Sequence, residues 1–228
     1  MKTIQILGAV AVLGLGVGAS TQAALLDIRI DLSTQVGTTG GNWNNISNLT
    51  GETTGLIDFN TGLPTGVSIN GNGSPWQQFF GDDAGSFPEQ DWLIQPATRD
   101  GAGLQSGLTG TFTLAGLTGV AYQIELVSAR TTFGYLNTFT VDDALADRTF
   151  LATPVQTPWN STTDGLEAGN WLIWDYVVPT DGMITIKDEA IWGTLGILNA
   201  IRISEVPAPG ALALLGLAGI TGARRRRN

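Results

Sequence analysis

Hydrophobic and polar residues alternate with a period of two along most of the chain between residues 24 and 205. Leu26–Leu32 shows the pattern clearly, because four aliphatic side chains alternate with Asp and Arg. Such alternation is typical of a half-buried β-strand, whose successive side chains point to opposite faces. The pattern predicts further strands at Gly107–Leu117, Tyr122–Leu126, Phe139–Val141, Arg148–Ala152, Trp171–Val178, Met183–Lys187 and Ile197–Ser204, and shorter ones at Leu56–Phe59, Val67–Ile69 and Asp91–Ile94.

Turn residues separate these strands. Gly-Gly, Asn-Gly, Asp-Gly and Thr-Gly pairs supply the positive φ angles of tight turns. The body shows no sustained helical period. Evenly spaced short strands with Gly-rich turns predict an all-β sandwich for residues 24–205. The least regular stretch, Gly71–Gly103, is predicted to form long surface loops.

Composition excludes several kinds of site. The 228 residues suit one domain and contain neither His nor Cys. The chain therefore cannot build a Ser-His-Asp or Cys-His site, the usual zinc, haem or iron–sulfur sites, or a disulfide. The body holds all 20 acidic residues but only six of the 11 basic ones, a net charge of −14. Such a surface repels phosphate, so we expect no nucleic-acid partner.

The first 23 residues are typical of a secretory signal peptide. Lys2 provides the positive start, Ile4–Val17 is almost wholly apolar, and small residues precede a cleavage point after Ala23. The alternative is a short membrane anchor. The apolar run is too short for that and lacks a stop-transfer flank.

The C-terminal residues 206–228 have three parts. A Pro motif is followed by an apolar segment of small residues and then by a cluster of arginines: Val206, Pro207, Ala208 and Pro209; Gly210–Ala223; and Arg224, Arg225, Arg226 and Arg227. As a helix, the apolar segment would span about 21 Å, short of the roughly 30 Å hydrocarbon core.

This tail resembles the PEP-CTERM sorting signal of Gram-negative bacteria. The resemblance implies transient anchoring in the inner membrane, then recognition and cleavage near the Pro motif by an exosortase-type membrane protease. It also implies final placement at the cell surface or outside the cell, often in bacteria that make exopolysaccharide. Ala208 stands where the usual motif has Glu, which leaves open whether and where the tail is cut. The alternative is a tail anchor that is never cleaved.

The body resembles bacterial surface domains of the galactose-binding-like jelly-roll type. The stretches that carry the resemblance are Ile28–Asp31 with Gly40–Asn44, Gly116–Leu126, Asp181–Ile186 and Leu198–Ile203. The resemblance implies a jelly-roll sandwich that often binds glycans through loops at one end. A fold alone does not determine a function.

Glycan binding requires aromatic faces beside amides, carboxylates or guanidinium groups. Trp76 with Gln77 and Trp159 with Asn160 meet this description, and both tryptophans follow a proline in a loop setting. Each could equally be a core residue. Arg130 could bind a sugar, although an ion pair with one of the many acids is the simpler role. The sequence favours core positions for three other tryptophans, Trp43, Trp171 and Trp174.

Because the chain has no His or Cys, a pair of carboxylates is the remaining candidate for a catalytic site. Asp82-Asp83, Asp142-Asp143 and Asp188-Glu189 are adjacent pairs, but neighbours on a strand point to opposite faces. We expect no enzyme activity and no cofactor. A structural Ca²⁺ could bind at Gly81–Gly85 or Asp181-Gly182, although no EF-hand spacing occurs.

The sequence as a whole predicts an exported, surface-sorted, non-catalytic sandwich that binds polysaccharide of the biofilm matrix. Its partners would be an exosortase-type protease, the inner membrane and an extracellular polysaccharide. The first alternative is a structural or adhesive matrix protein without a defined ligand. The second is a carboxylate-based enzyme that acts on glycans.

Overall fold

The computed structural model describes residues 25–32, 39–80, 91–94, 97, 100–129, 135–152, 161–163, 169–193 and 196–207. Its named elements are all strands: β1 (Asp27–Asp31), β2 (Asn44–Asn45), β3 (Glu52–Thr53), β4 (Ser68–Asn70), β5 (Gln77–Phe80), β6 (Asp100–Leu104), β7 (Thr109–Ala115), β8 (Tyr122–Val127), β9 (Tyr135–Val141), β10 (Arg148–Ala152), β11 (Ser161–Thr163), β12 (Trp171–Val177), β13 (Met183–Gly193), β14 (Gly196–Leu198) and β15 (Ala200–Glu205).

Two six-stranded sheets enclose one hydrophobic core. Sheet A has the order β11-β12-β8-β15-β1-β2, and sheet B has the order β10-β9-β13-β7-β4-β3. A third, three-stranded sheet has the order β14-β6-β5. Inward side chains of both large sheets, such as Ile124 of β8 and Phe112 of β7, belong to the same buried cluster. The predicted all-β sandwich is therefore confirmed. In the described part of the chain no helix is long and apolar enough to cross a membrane.

The first and last strands of the body are neighbours within sheet A. β1 pairs antiparallel with β15 along its whole length, from Asp27 opposite Ser204 to Asp31 opposite Ala200. β15 in turn pairs with β8, with Glu205 opposite Tyr122. The start of β1, the end of β15 and the start of β8 therefore lie together at one end of the sandwich.

Alternation places the side chains of sheet B as predicted. On β13, Ile184 and Ile186 are buried, while Thr185 and Lys187 face outward. The connection from β12 of sheet A to β13 of sheet B turns at Asp181-Gly182, whose φ angles are 50° and 73°. Those positive values suit Gly and are tolerated by Asp. Thr180 and Met183 exchange two backbone hydrogen bonds of 2.9 Å across this turn.

The stretch Gly71–Gly103 is more regular than predicted, because it contains β5 and most of β6. β6 is buried at every residue, and its glycines allow close approach of another backbone. A Cβ at Gly101 would lie 2.5 Å from the carbonyl oxygen of Leu198. At Gly101 that contact leaves no room for a side chain, so the strand lacks the alternation of apolar and polar side chains that predicted the others.

Three other predicted strands also need correction. Ile197–Ser204 is interrupted at Asn199, whose buried side chain accepts from the N–H of Ala129 at 2.7 Å and donates to the carbonyl of Asp100 at 2.9 Å. Leu56–Phe59 forms a single bridge between Ile57 and Pro64 rather than a strand. Asp91–Ile94 forms no named strand and contributes side chains to the cluster described next.

The outer face of sheet A carries a second hydrophobic cluster. Its buried members come from three strands of the sheet and from the segments that contain Trp43 and Trp92: Trp43, Trp92, Leu93, Ala97, Val127, Ala129, Trp171 and Ala200. The outward positions of sheet B are half-buried or exposed instead, for example Thr111, Thr140 and Thr185. The two outer faces of the sandwich therefore differ in what covers them.

Candidate functional site

Trp76 is a core residue. Only 6% of its surface is exposed, its ring stacks on Phe112 with centroids 4.6 Å apart, and its indole N–H donates to the carbonyl of Thr111 at 3.2 Å. Gly110 provides the space, because a Cβ there would lie 2.7 Å from the Trp76 ring. The ring is not available to stack on a sugar, which corrects the binding role expected for Trp76.

Of the other predicted site residues, Gln77 is exposed on β5. Val206 and Pro207 of the sorting motif are half-buried, and the Val206 N–H donates to the carbonyl of Ala121 at 2.9 Å. The remaining predicted positions lie outside the described residues: Ala23, Arg130, Trp159, Asn160, Ala208, Pro209, Arg224, Arg225, Arg226 and Arg227.

The tryptophans predicted to be core residues are confirmed as such. Trp174 is fully buried in the main core, where its ring meets Phe150 edge to face at 4.2 Å. Trp43 and Trp171 belong to the cluster on the outer face of sheet A, where Trp43 stacks on Trp92 at 5.8 Å. Every tryptophan whose side chain the structure describes is buried.

A network of ion pairs lies beside this outer cluster. Glu125 of β8 is buried, and its Oε2 accepts from the indole N–H groups of Trp92 and Trp171, each at 2.8 Å. Its Oε1 accepts from Arg202 at 3.0 Å. Arg202 also donates to both oxygens of Asp27, at 2.9 and 3.3 Å. These bonds occupy both Glu125 oxygens, so the network is closed to a ligand at that carboxylate.

Arg29 completes the network. It lies directly opposite Arg202 in the β1–β15 register, an unfavourable position for two like charges. Asp27 relieves the repulsion because it accepts from both guanidinium groups. The Arg29 guanidinium also lies 3.4 Å from the centre of the Phe59 ring, a cation–π contact. The segment that carries Phe59 thereby joins this network to the pocket described next.

The described part of the chain has a pocket at the end of the sandwich where β1 and β8 begin and β15 ends. Its volume is about 370 Å³, within the range of small-molecule pockets. Its lining combines acidic, hydroxyl and apolar groups: Leu26, Asp58, Thr61, Leu63, Pro64, Thr65, Gly66, Val67, Gly116, Thr118, Tyr122 and Glu205. None of the described residues that line it is basic.

Asp58 shapes one wall of this pocket. Its Oδ1 accepts from the N–H and hydroxyl of Thr61, each at 2.8 Å, and its Oδ2 accepts from the N–H of Asp27 at 2.9 Å. Burial alone would raise the pKa of Asp58, but these bonds favour the carboxylate, and its pKa lies below the ordinary value. Asp58 is thus an ionised turn residue that holds the 58–63 segment in place.

Glu205 is the carboxylate of the opposite wall. It is half-buried, and its Oε2 accepts a long bond of 3.4 Å from the N–H of Leu26. A Cβ at Gly119 would lie 2.8 Å from both Glu205 Oε1 and the Tyr122 hydroxyl oxygen, so a larger residue there would displace one of these groups. Burial raises the pKa of Tyr122, the N–H of Gly119 lowers it, and the charge of Glu205 raises it further. The Tyr122 hydroxyl therefore stays protonated.

The pocket offers groups that suit a polyhydroxyl molecule. Glu205 can accept from hydroxyl groups, the exposed Thr118 can donate and accept, and Leu63, 64% exposed, offers an apolar surface beside Pro64. Sequence reasoning missed these residues. The pattern Asp58-x-x-Thr61 before Gly62 was a signal for a capped turn, but nothing local indicated that Glu205 would face it.

In each of the two described carboxylate pairs, one carboxylate is buried and its neighbour faces outward. Asp188 is buried while Glu189 faces outward and pairs with Lys187 at 2.7 Å. Asp143 is buried beside Arg148, 3.6 Å away, whereas Asp142 is exposed. Within the described ranges no group of three or more carboxylates is arranged to hold a metal ion. Gly81–Gly85 lies outside them, and Asp181-Gly182 forms the turn before β13 described above.

No family model and no curated protein matches the chain. Among solved structures, the chain is similar to TmCBM61 in complex with β-1,4-galactotriose, with 12% identity over 61% of this chain and 88% of that one and a TM-score of 0.36. It is also similar to parts of two larger proteins. One is the 4-O-methyl-α-glucuronidase BtGH115A, with specificity for decorated arabinogalactans (15% identity, 48% of this chain, 15% of that one, TM-score 0.29). The other is the enzymatically active domain of bacteriophage CBA120 tailspike protein 4 (15% identity, 73% of this chain, 22% of that one, TM-score 0.29). All three TM-scores lie below 0.5, so the likeness is distant.

Proposed function

We propose that this chain is an exported, non-catalytic galactose-binding-like sandwich that binds polysaccharide outside the cell, and that the pocket between Asp58 and Glu205 is its sugar site. Export rests on the signal-like residues 1–23, and surface sorting by an exosortase-type protease rests on residues 206–228. The observation that carries the binding proposal is the composition of the pocket, which sets acidic and hydroxyl groups beside exposed apolar side chains.

The electrostatics of the pocket favour neutral sugars over acidic ones. Both of its charged residues are acids, and the body around it has a net charge of −14. A uronic acid or sulfated sugar would meet repulsion from Asp58 and Glu205. A neutral sugar would instead donate hydroxyl hydrogens to Glu205 and place a C–H face against Leu63. Exposed Gln77 and the predicted residues Arg130, Trp159 and Asn160 would then form a separate or extended contact.

A non-catalytic role is supported by the state of the two pocket carboxylates. Glycoside hydrolysis requires an acid with a raised pKa facing a second carboxylate. The pKa of Asp58 is lowered, and both of its oxygens accept hydrogen bonds from the chain itself. Such a carboxylate cannot deliver a proton to a leaving group at neutral pH.

The test is binding of the purified full-length chain to a panel of neutral, acidic and amino polysaccharides. Glu205→Gln should weaken binding to the preferred neutral glycan about tenfold, because it removes one charge-assisted hydrogen bond. Glu189→Gln is the matched control, since that carboxylate lies on the outer face of sheet B. Equal affinity of the two variants would rule out the pocket, and Trp159→Ala then tests the predicted loop site.

A second candidate function is a structural or adhesive matrix role without a defined ligand. It is favoured by the burial of every tryptophan side chain that the structure describes. Absence of binding to the whole panel by well-folded protein would favour this role. Retention of the protein in the matrix after treatment with glycan-degrading enzymes would favour it further.

A further inference from the structure

A carboxyl group lies deep inside the sandwich. Asp188 occupies an inward position of β13, in the same series as Ile184, Ile186 and Ala190, and is 0% exposed. Its neighbour on β9 is Asn137, also 0% exposed. Buried carboxyl groups without a countercharge are rare, because transfer of the ionised form out of water is costly. The core must therefore provide something that makes this position tolerable.

One hydrogen bond joins the two side chains, and one oxygen of each side chain has no hydrogen-bond donor among the described residues. Asn137 Nδ2 donates to Asp188 Oδ2 at 3.1 Å. In the described part of the chain, neither Asp188 Oδ1 nor Asn137 Oδ1 has a hydrogen-bond partner. Both side chains end in planar forks, so a second hydrogen bond between the two remaining oxygens would close a cyclic pair. Both remaining atoms are oxygens, and a hydrogen bond between them requires a hydrogen on one of them.

Among the described residues, no cation contacts the pair. Asp188 lies opposite Gly110 of β7 and Phe139 of β9, and Gly196 of β14 packs against Asn137 so closely that a Cβ there would lie 2.2 Å from Asn137 Oδ1. The charged group that acts on Asp188 is Glu189, another acid. Two protein oxygens are also far fewer than the six to eight that Ca²⁺ takes.

We propose that Asp188 is protonated in the folded protein at neutral pH and donates from Oδ1 to Asn137 Oδ1, so that the two side chains form a closed carboxylic acid–amide pair. One hydrogen satisfies both leftover oxygens. Burial, the largest cause, raises the pKa of Asp188 well above its ordinary value, the Asn137 hydrogen bond opposes the rise, and the charge of Glu189 adds to it.

The pair makes the free energy of unfolding decrease as the pH rises. In the unfolded chain the carboxyl titrates at a pKa of about 3.9. The pKa of Asp188 is higher in the folded protein. The stabilisation that its protonated form provides is therefore complete below the pKa of the unfolded chain and is lost as the pH rises towards the pKa in the folded protein. Over that window the unfolding constant increases by up to about tenfold per pH unit from this group alone. The raised pKa of exposed Asp142 acts in the same direction, and the lowered pKa of Asp58 acts in the opposite one.

The test is urea unfolding of the purified full-length chain between pH 4 and pH 9, compared with Asp188→Asn. The introduced amide can both donate to and accept from Asn137 without taking up a proton. The free energy of unfolding of the variant should therefore no longer fall as the pH rises, and at high pH the variant should be more stable relative to the wild type. Identical pH dependence of the two proteins would overturn the proposal. So would stabilisation of the wild type, but not the variant, by Ca²⁺ or K⁺.

Two further variants separate protonation from packing. Asn137→Asp places two acids in the core and should be destabilised increasingly above about pH 4. The exchange Asn137→Asp with Asp188→Asn restores an acid–amide pair and should recover most of the loss. If Asp188→Asn does not fold, the infrared carbonyl band of a protonated carboxyl in the wild type at pH 7 decides the question. Its absence would contradict the proposal.

Discussion

The two outer faces of the sandwich accommodate their polar side chains in different ways. Sheet A covers its outer face with a tryptophan cluster and satisfies the buried charges beneath it through Asp27, Glu125 and Arg202. Sheet B leaves its outer face to solvent and fills it with hydroxyl groups, among them Thr113 and Thr185. Polar atoms in contact with water need no built partner, whereas polar atoms under a cluster do. The same alternating pattern therefore produces one face sensitive to substitution and one tolerant face.

The largest effect is expected at the centre of the sheet A network. Arg202→Leu removes a guanidinium group that two buried carboxylates share and should lower the free energy of unfolding by about 3 kcal/mol. The Arg202 side chain is 20% exposed, so solvent replaces little of the lost contact. Arg202→Lys should cost less, because one ammonium keeps the charge but loses the fork. Urea denaturation at pH 7 measures both, and a loss below about 1 kcal/mol for the leucine variant would make the two faces equivalent.

An intermediate effect is expected for the indole donors of the cluster. Trp171→Phe keeps an aromatic ring but removes one of the two N–H groups that bind Glu125 Oε2, so it should lower the free energy of unfolding by about 2 kcal/mol. Trp43→Phe controls for the loss of ring volume, since Trp43 stacks on Trp92 in the same cluster. Equal losses in the two variants would show that packing rather than the carboxylate bond matters.

The smallest effect is expected on sheet B. Thr185→Val keeps the β-branched shape and loses only the 3.4 Å contact with the Thr113 hydroxyl, so the free energy of unfolding should change by less than about 0.5 kcal/mol. Lys187→Gln should be similarly mild, because its ion pair with Glu189 is almost half exposed. A loss above about 1 kcal/mol in either variant would indicate that this face is covered by something in solution.

The period-two pattern predicted most of the fold because it records which side chains meet the core. β1, β7, β8, β10 and β12 follow it closely. β6 escaped prediction because a glycine-rich strand packs by backbone contact and carries no alternation, as Gly101 illustrates. The tryptophans of the body were assigned correctly where they lie inside an apolar run. Trp76 was not decided by its neighbours, since the space for its ring is created by Gly110, far away in the sequence.

The pocket was less accessible to sequence reasoning than the fold. Asp58 and Glu205 lie in unrelated local patterns and come to one pocket only because β1 pairs with β15. Likewise, the adjacent residues Asp188 and Glu189 resemble any acidic pair until the strand direction separates their environments. In both cases the chemistry depends on long-range pairing, which a local pattern does not contain.

The pairing of β1 with β15 also determines when sheet A can be completed during folding. Asp27 and Arg202, which bind each other across these strands, are 175 residues apart in the sequence. Contacts of such large separation form slowly, because the chain between them must first be confined. A chain that emerges from its N-terminus therefore cannot complete sheet A until its last strand has appeared. In the export proposed above, sheet A would close only after β15 has followed the rest of the body across the membrane.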